Sequence, residues 1–123
     1  MRFVHLAERT HFSPPGSSAQ VSILAGKNPD QGSLVRHTVT VVRLPPGEKL
    51  DRHFHKEREE SYLVLSGKGQ GIVDGQEVNL EPGDLLTVFP GETHQLRADV
   101  SQHLEYVAIT APPWVLEDVH SAK

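Results

Sequence analysis

Glycine and proline recur about every ten residues along the chain, at Pro14-Pro15-Gly16, Asn28-Pro29, Pro45-Pro46-Gly47, Ser66-Gly67, Asp74-Gly75, Pro82-Gly83 and Pro90-Gly91. This spacing leaves room for short strands and little for helices. Between the marks the apolar residues alternate and are rich in β-branched types. Leu34, Val35, Val39, Val41, Val42 and Leu44 predict a strand over Ser33–Leu44, and Tyr62, Leu63, Val64 and Leu65 predict another. Asp74-Gly75, between Gly69–Val73 and Gln76–Leu80, predicts a hairpin, because both central residues of a type I′ turn need positive φ. The first sixteen residues and Gly26–Ser33 read as loops. Trp114–His120, after Pro112-Pro113, is the stretch that allows a short helical turn. The expected class is all-β, a barrel or sandwich with little helix.

A chain of 123 residues without linker, repeat or low-complexity tract reads as one domain, residues 1–123. Cysteine is absent, which excludes disulfides, thiolate metal sites and cysteine nucleophiles. A net charge of −4 with no basic stripe argues against nucleic acid as a partner. No apolar run approaches the ~20 residues of a membrane helix, and Met1–Leu6 lacks the apolar region of a secretory signal. The expectation is no membrane partner and a cytoplasmic location.

The eight histidines are the compositional oddity, and three of them fall in a pattern. On a strand, His53 and His55 point to one face and can converge on one ion, and Glu60 can join them from the next strand. A second segment, Pro82–His94, ends a strand in a Pro-Gly turn and then presents another histidine. Imidazole and carboxylate ligands without thiolate suit a catalytic first-row metal with open positions, not a closed structural zinc.

These segments resemble the two motifs of the cupin superfamily. The first is Gly47, five residues, His53-x-His55, four residues, Glu60, six residues, Gly67. The second is Gly83, five residues, Phe89, one residue, Gly91, two residues, His94, three residues, Ala98. Proline is usual where Phe89 stands, and asparagine where Ala98 stands. The first motif covers 47–67 and the second 83–98. The resemblance implies a single jelly-roll barrel of six to eight strands around a divalent transition metal (Fe, Mn, Ni, Co, Cu or Zn), with His53, His55, Glu60 and His94 as ligands. It implies a range of activities, including dioxygenase, isomerase, decarboxylase and lyase, and also non-catalytic effector binding. A regulatory cupin is normally joined to a helix-turn-helix, for which 123 residues leave no room, so an enzyme acting on a small oxygen-bearing molecule is the expectation.

Other residues are weighed by position. Tyr62 shares the face of Glu60 by period-2 alternation and is either the acid–base group or barrel filling. Glu57 and Glu59 read as part of a solvated charge run. His37, on the strand over Ser33–Leu44, and His103, on one over Gln102–Thr110, are expected to be exposed more often than to line the pocket. Trp114 reads as a packing anchor or a subunit contact. The strand-forming segment Gln20–Gly26 would leave an open sheet edge, which with the resemblance predicts a homodimer.

Overall fold

A computed structural model describes residues 3–26 and 35–122. Its strands are β1 (Gln20–Ala25), β2 (Thr38–Leu44), β3 (His53–Phe54), β4 (Glu59–Gly67), β5 (Gly69–Val73), β6 (Gln76–Leu80), β7 (Leu85–Val88), β8 (His94–Ala98), β9 (Leu104–Ala111) and β10 (His120–Ser121). They form two antiparallel five-stranded sheets. One has the order β1-β2-β9-β4-β7 and the other β10-β3-β8-β5-β6. The class is all-β, a double-sheet jelly-roll barrel. Its strands outnumber the six to eight implied by the resemblance because the two-residue pairs β3 and β10 count separately; the strand expected to carry both His53 and His55 ends at Phe54.

Alternation positions the core. Along β4, Glu60, Tyr62 and Val64 are buried while Glu59, Leu63 and Leu65 face outward. Leu44 and Leu104, each with 0% exposure, lie opposite one another in the β2–β9 pair and seal one end of the interior. Burying each contributes about 1.5–3 kcal/mol. Val42, Val88, Leu96 and Tyr106 fill the space between the sheets. The Asp74-Gly75 hairpin forms as expected, with φ of 47° and 82°.

Several boundaries differ from the sequence expectation. The second strand begins at Thr38, so exposed His37 precedes it, and Asn28-Pro29 and Leu34 lie outside the described residues. β9 begins at Leu104, one residue after His103. A 3₁₀ turn at Leu6–Glu8 interrupts the N-terminal segment read as loop, and the helical turn near the C-terminus is a 3₁₀ turn confined to Leu116–Asp118. Trp114 is 42% exposed, and its backbone N–H, donating to Thr38 Oγ1 at 2.8 Å, anchors the tail instead of its ring. β1 is an edge strand, but Phe12 covers part of that edge by exchanging both backbone hydrogen bonds with Val21.

Candidate metal centre

His53, His55, Glu60 and His94 come together between the sheets, each offering one ligand atom, with all four atoms within 4.8 Å of one another. Three elements bring them there. His53 lies on β3, opposite His94 at the start of β8, and their ring centroids are 4.4 Å apart. Glu60 comes from β4 in the facing sheet. His55 sits one residue past the end of β3, so strand alternation does not itself aim its ring. Its carbonyl accepts the Gly91 N–H at 2.7 Å, which ties it to the Pro90-Gly91 turn. That turn differs from the usual motif: the Phe89 N–H, which a proline would lack, donates to Glu92 Oε1 at 2.7 Å. At the other departure, Ala98 is buried and its N–H donates to the Glu48 carbonyl.

The imidazoles are oriented by main chain. Nδ1 of His53 lies 2.8 Å from the Asp51 carbonyl, Nδ1 of His55 2.8 Å from the Asp118 carbonyl, and Nδ1 of His94 3.0 Å from the Glu92 carbonyl. A carbonyl only accepts, so each Nδ1 carries a hydrogen and Nε2 is the ring atom each histidine offers to the cluster. Nε2 of His55 and of His94 are buried without a hydrogen-bond partner. His55 Nε2 is 2.7 Å from Glu60 Oε1, yet the contact lies outside hydrogen-bond geometry. Two such atoms at that distance share a cation, either a proton on His55 or a bound metal ion. A divalent ion fits this donor set of three imidazoles and one carboxylate.

The electrostatics of Glu60 and His94 suit a ligand set, while those of His55 favour a proton shared with Glu60. Burial acts to raise the Glu60 carboxyl, but His55 and the Tyr62 hydroxyl outweigh it and hold the group below its usual range, as a carboxylate. For His55, burial works against charge while Glu60 and the Asp118 carbonyl raise its affinity for a proton, and the net direction is upward. For His94, burial prevails and favours the neutral ring. Tyr62 is 4% exposed, with its ring centroid 6.0 Å from that of His94. Burial and the Glu60 carboxylate push its phenol well above its ordinary value, so it stands as a neutral O–H.

The remaining histidines stay apart. His103 Nε2 pairs with Ser66 Oγ at 2.9 Å, beyond the cluster. Glu57 and Glu59 are exposed, as the charge run suggests, but their neighbour Arg58 is tucked in against Asp118. Sequence reasoning missed Asp118, whose carbonyl orients His55 from 63 residues away. A separate polar cavity of about 230 Å³ lies between the N-terminal segment and the outer face of β1 and β2, lined by Arg9, His11, Ser22 and Arg43 among others, and contains none of the clustered residues.

A family profile described as the cupin domain matches residues 40–110, more than half of the chain. The chain belongs to the cupin family. Among curated cupin relatives, the quercetin 2,3-dioxygenase of Bacillus subtilis is 34% identical over 68 residues, which are 55% of this chain and 20% of that protein. The oxalate-binding protein of Thermotoga maritima is 31% identical over 68 residues, 55% of this chain and 56% of that one. This cupin thus matches about a fifth of the first relative's length and just over half of the second's. The polyketide cyclase RemF of Streptomyces resistomycificus shares the fold with a TM-score of 0.75 at 21% identity, covering 96% of this chain and 89% of its own.

Proposed function

We propose that this cupin is a divalent-metal-dependent enzyme acting on a small oxygen-bearing organic substrate, with His53, His55, Glu60 and His94 as the ligands of one first-row transition ion. The observation that carries this reading is the convergence of one ligand atom from each of His53, His55, Glu60 and His94 within 4.8 Å, with the buried Nε2 of His94 and of His55 making no hydrogen bond. Such an ion, bound by four protein groups with positions left open, supplies Lewis-acid polarisation or oxygen activation. The chain's own residues do the rest. The three imidazoles are held to one tautomer by main-chain carbonyls, Glu60 balances charge, and the apolar walls of Val42, Val88 and Leu96 exclude water. Tyr62 is the acid–base residue, holding a proton at its phenol oxygen beside Glu60. The reaction class is that of the dioxygenases, isomerases, decarboxylases or lyases. The 34% identity to a quercetin dioxygenase supports the first of these.

A second reading is a binding barrel in which the ion only orients a carboxylate ligand, favoured by the 31% identity to an oxalate-binding protein. The two are separated by loading the protein with Fe(II) or Mn(II) and offering small diols, keto acids and catechols. Product formation or oxygen uptake that disappears in His94→Ala supports the enzyme. Saturable binding of a ligand without product supports the second reading, and failure to retain any transition metal overturns both. A cytoplasmic, homodimeric protein with no nucleic-acid or membrane partner completes the proposal; among the described residues no helix is long and apolar enough to cross a membrane.

A further inference from the structure

The segment after β9 crosses the end of the barrel that holds the clustered histidines. One residue of it, Asp118, receives donations from four consecutive residues. Its carbonyl accepts from His55 Nδ1 at 2.8 Å, Oδ1 accepts the Lys56 N–H at 2.8 Å, and Oδ2 accepts the Glu57 N–H at 3.1 Å and Arg58 Nη1 at 2.8 Å. The Arg58 Nε donates to the Pro113 carbonyl at 2.7 Å, so one guanidinium ties the loop behind His55 both to the end of the 3₁₀ turn at Asp118 and to the chain ahead of that turn. Asp118 is 7% exposed and the Arg58 side chain 12%. Asp118 touches neither Glu60 nor the Nε2 atoms of His53, His55 and His94; its Oδ1 also lies 3.4 Å from His120 Nε2, and its carboxylate satisfies backbone amides that the loop leaves without strand partners. Beyond it, β10 pairs Ser121 with His53 and His120 with Phe54.

We infer that Asp118 is a positioning residue of the metal centre, its carboxylate locking the loop 56–58 against the tail so that its carbonyl fixes His55 as an Nε2 ligand. The inference rests on the metal reading above. His55 lies past the end of its strand, so no ladder bond aims its ring. Without the clamp, Nδ1 loses its acceptor, and the ring is free to turn or to take the other tautomer. Orienting partners of metal-bound histidines are typically worth about 10–100-fold in metal affinity.

The test is Co(II) binding by the full chain, read by chelator competition and by the visible absorption of the bound ion. Asp118→Ala is expected to weaken Co(II) about 10–100-fold and to change the absorption bands, with part of the loss recovered in Asp118→Asn, which keeps an acceptor for a loop amide. The loss should vanish in a His55→Ala background, where there is no ring left to position, and persist in His53→Ala. A purely structural role would lower the melting temperature of the metal-free protein and leave affinity and spectrum alone. Wild-type affinity in folded Asp118→Ala, or an equal loss in both histidine backgrounds, overturns the inference. If Asp118→Ala does not fold, Arg58→Met replaces it, and unchanged Co(II) affinity there is equally decisive. Failure of the wild type to bind Co(II) overturns the metal reading itself, which separates the two failures.

Discussion

His53 and His94 face each other across the β3–β8 pair, with ring centroids 4.4 Å apart and each Nδ1 tied to the carbonyl two residues before it. Gently purified protein is expected to carry one transition metal per chain, and the His53→Ala, His94→Ala double variant none, by elemental analysis. Equal metal in the variant would remove these residues from the ligand set.

Tyr62→Phe deletes a buried hydroxyl near Glu60. The change should leave metal content intact and cost roughly 1 kcal/mol of stability, the worth of a hydrogen bond. Turnover on a substrate found by screening should fall by about 10²–10⁴-fold. Undiminished turnover would leave the phenol as barrel filling, packed edge-on against Tyr106 at 5.5 Å.

Glu48 links acid stability to the N-terminal segment. The Ser18 hydroxyl donates to its carboxylate at 2.6 Å and the Ser18 N–H at 2.9 Å, followed by the Lys49 N–H, and together they lower its pKa from 4.5 to about 2. A depressed carboxyl pKa means stability that is present in full above 4.5 and lost as pH falls toward about 2. Urea unfolding should therefore find Glu48→Gln less stable than wild type at about pH 6 and the gap closed at about pH 2. A gap independent of pH would mean that these bonds do not depend on the charge.

Two glycines separate conformation from collision. Gly67 and Gly83 both have left-handed backbone, with φ of 83° and 90°. A Cβ at Gly83 meets nothing within 4 Å, whereas one at Gly67 overlaps the His103 carbonyl oxygen. Chemical denaturation should show Gly83→Ala costing about 1–2 kcal/mol, the left-handed penalty alone. Gly67→Ala should cost more than about 4 kcal/mol or prevent folding. Equal costs would mean that the β4–β5 corner yields without penalty.

Leu63 on β4 pairs with Leu85 on β7 and Val107 on β9, and with Ile109 they form an apolar strip on the outer face of their sheet, Leu85 at 62% exposure. Sedimentation at micromolar concentration is expected to give about twice the 13.6 kDa chain mass, and Leu63→Lys with Leu85→Lys to shift it to the single-chain value. A wild-type species of single-chain mass would contradict the homodimer.

Where one face of a strand is buried, the sequence was readable. Glu60, Tyr62 and Val64 alternate with exposed neighbours, and Asp74-Gly75 has a single inexpensive conformation. The grouping of His53, His55, Glu60 and His94 was legible through the resemblance of their two segments to the cupin motifs, which implies the same four residues. The brevity of β3 was not, because two residues carry no periodicity. Asp118 was invisible because it works through a carbonyl, which every residue possesses, at a separation that only the folded tail closes. Arg58 looked like one more solvated charge for the same reason: its partner lies 60 residues on.

The orienting acceptors for all three imidazoles are main-chain oxygens at Asp51, Glu92 and Asp118. Side-chain replacement does not delete a carbonyl. Heritable variation at exposed Asp51 can therefore run through most amino acids without disturbing the ring two residues on, whereas inserting or deleting one residue there moves the acceptor out of reach. At Asp51, selection on length is expected to be stricter than selection on identity, so the segment before His53 can diverge in sequence while keeping its spacing.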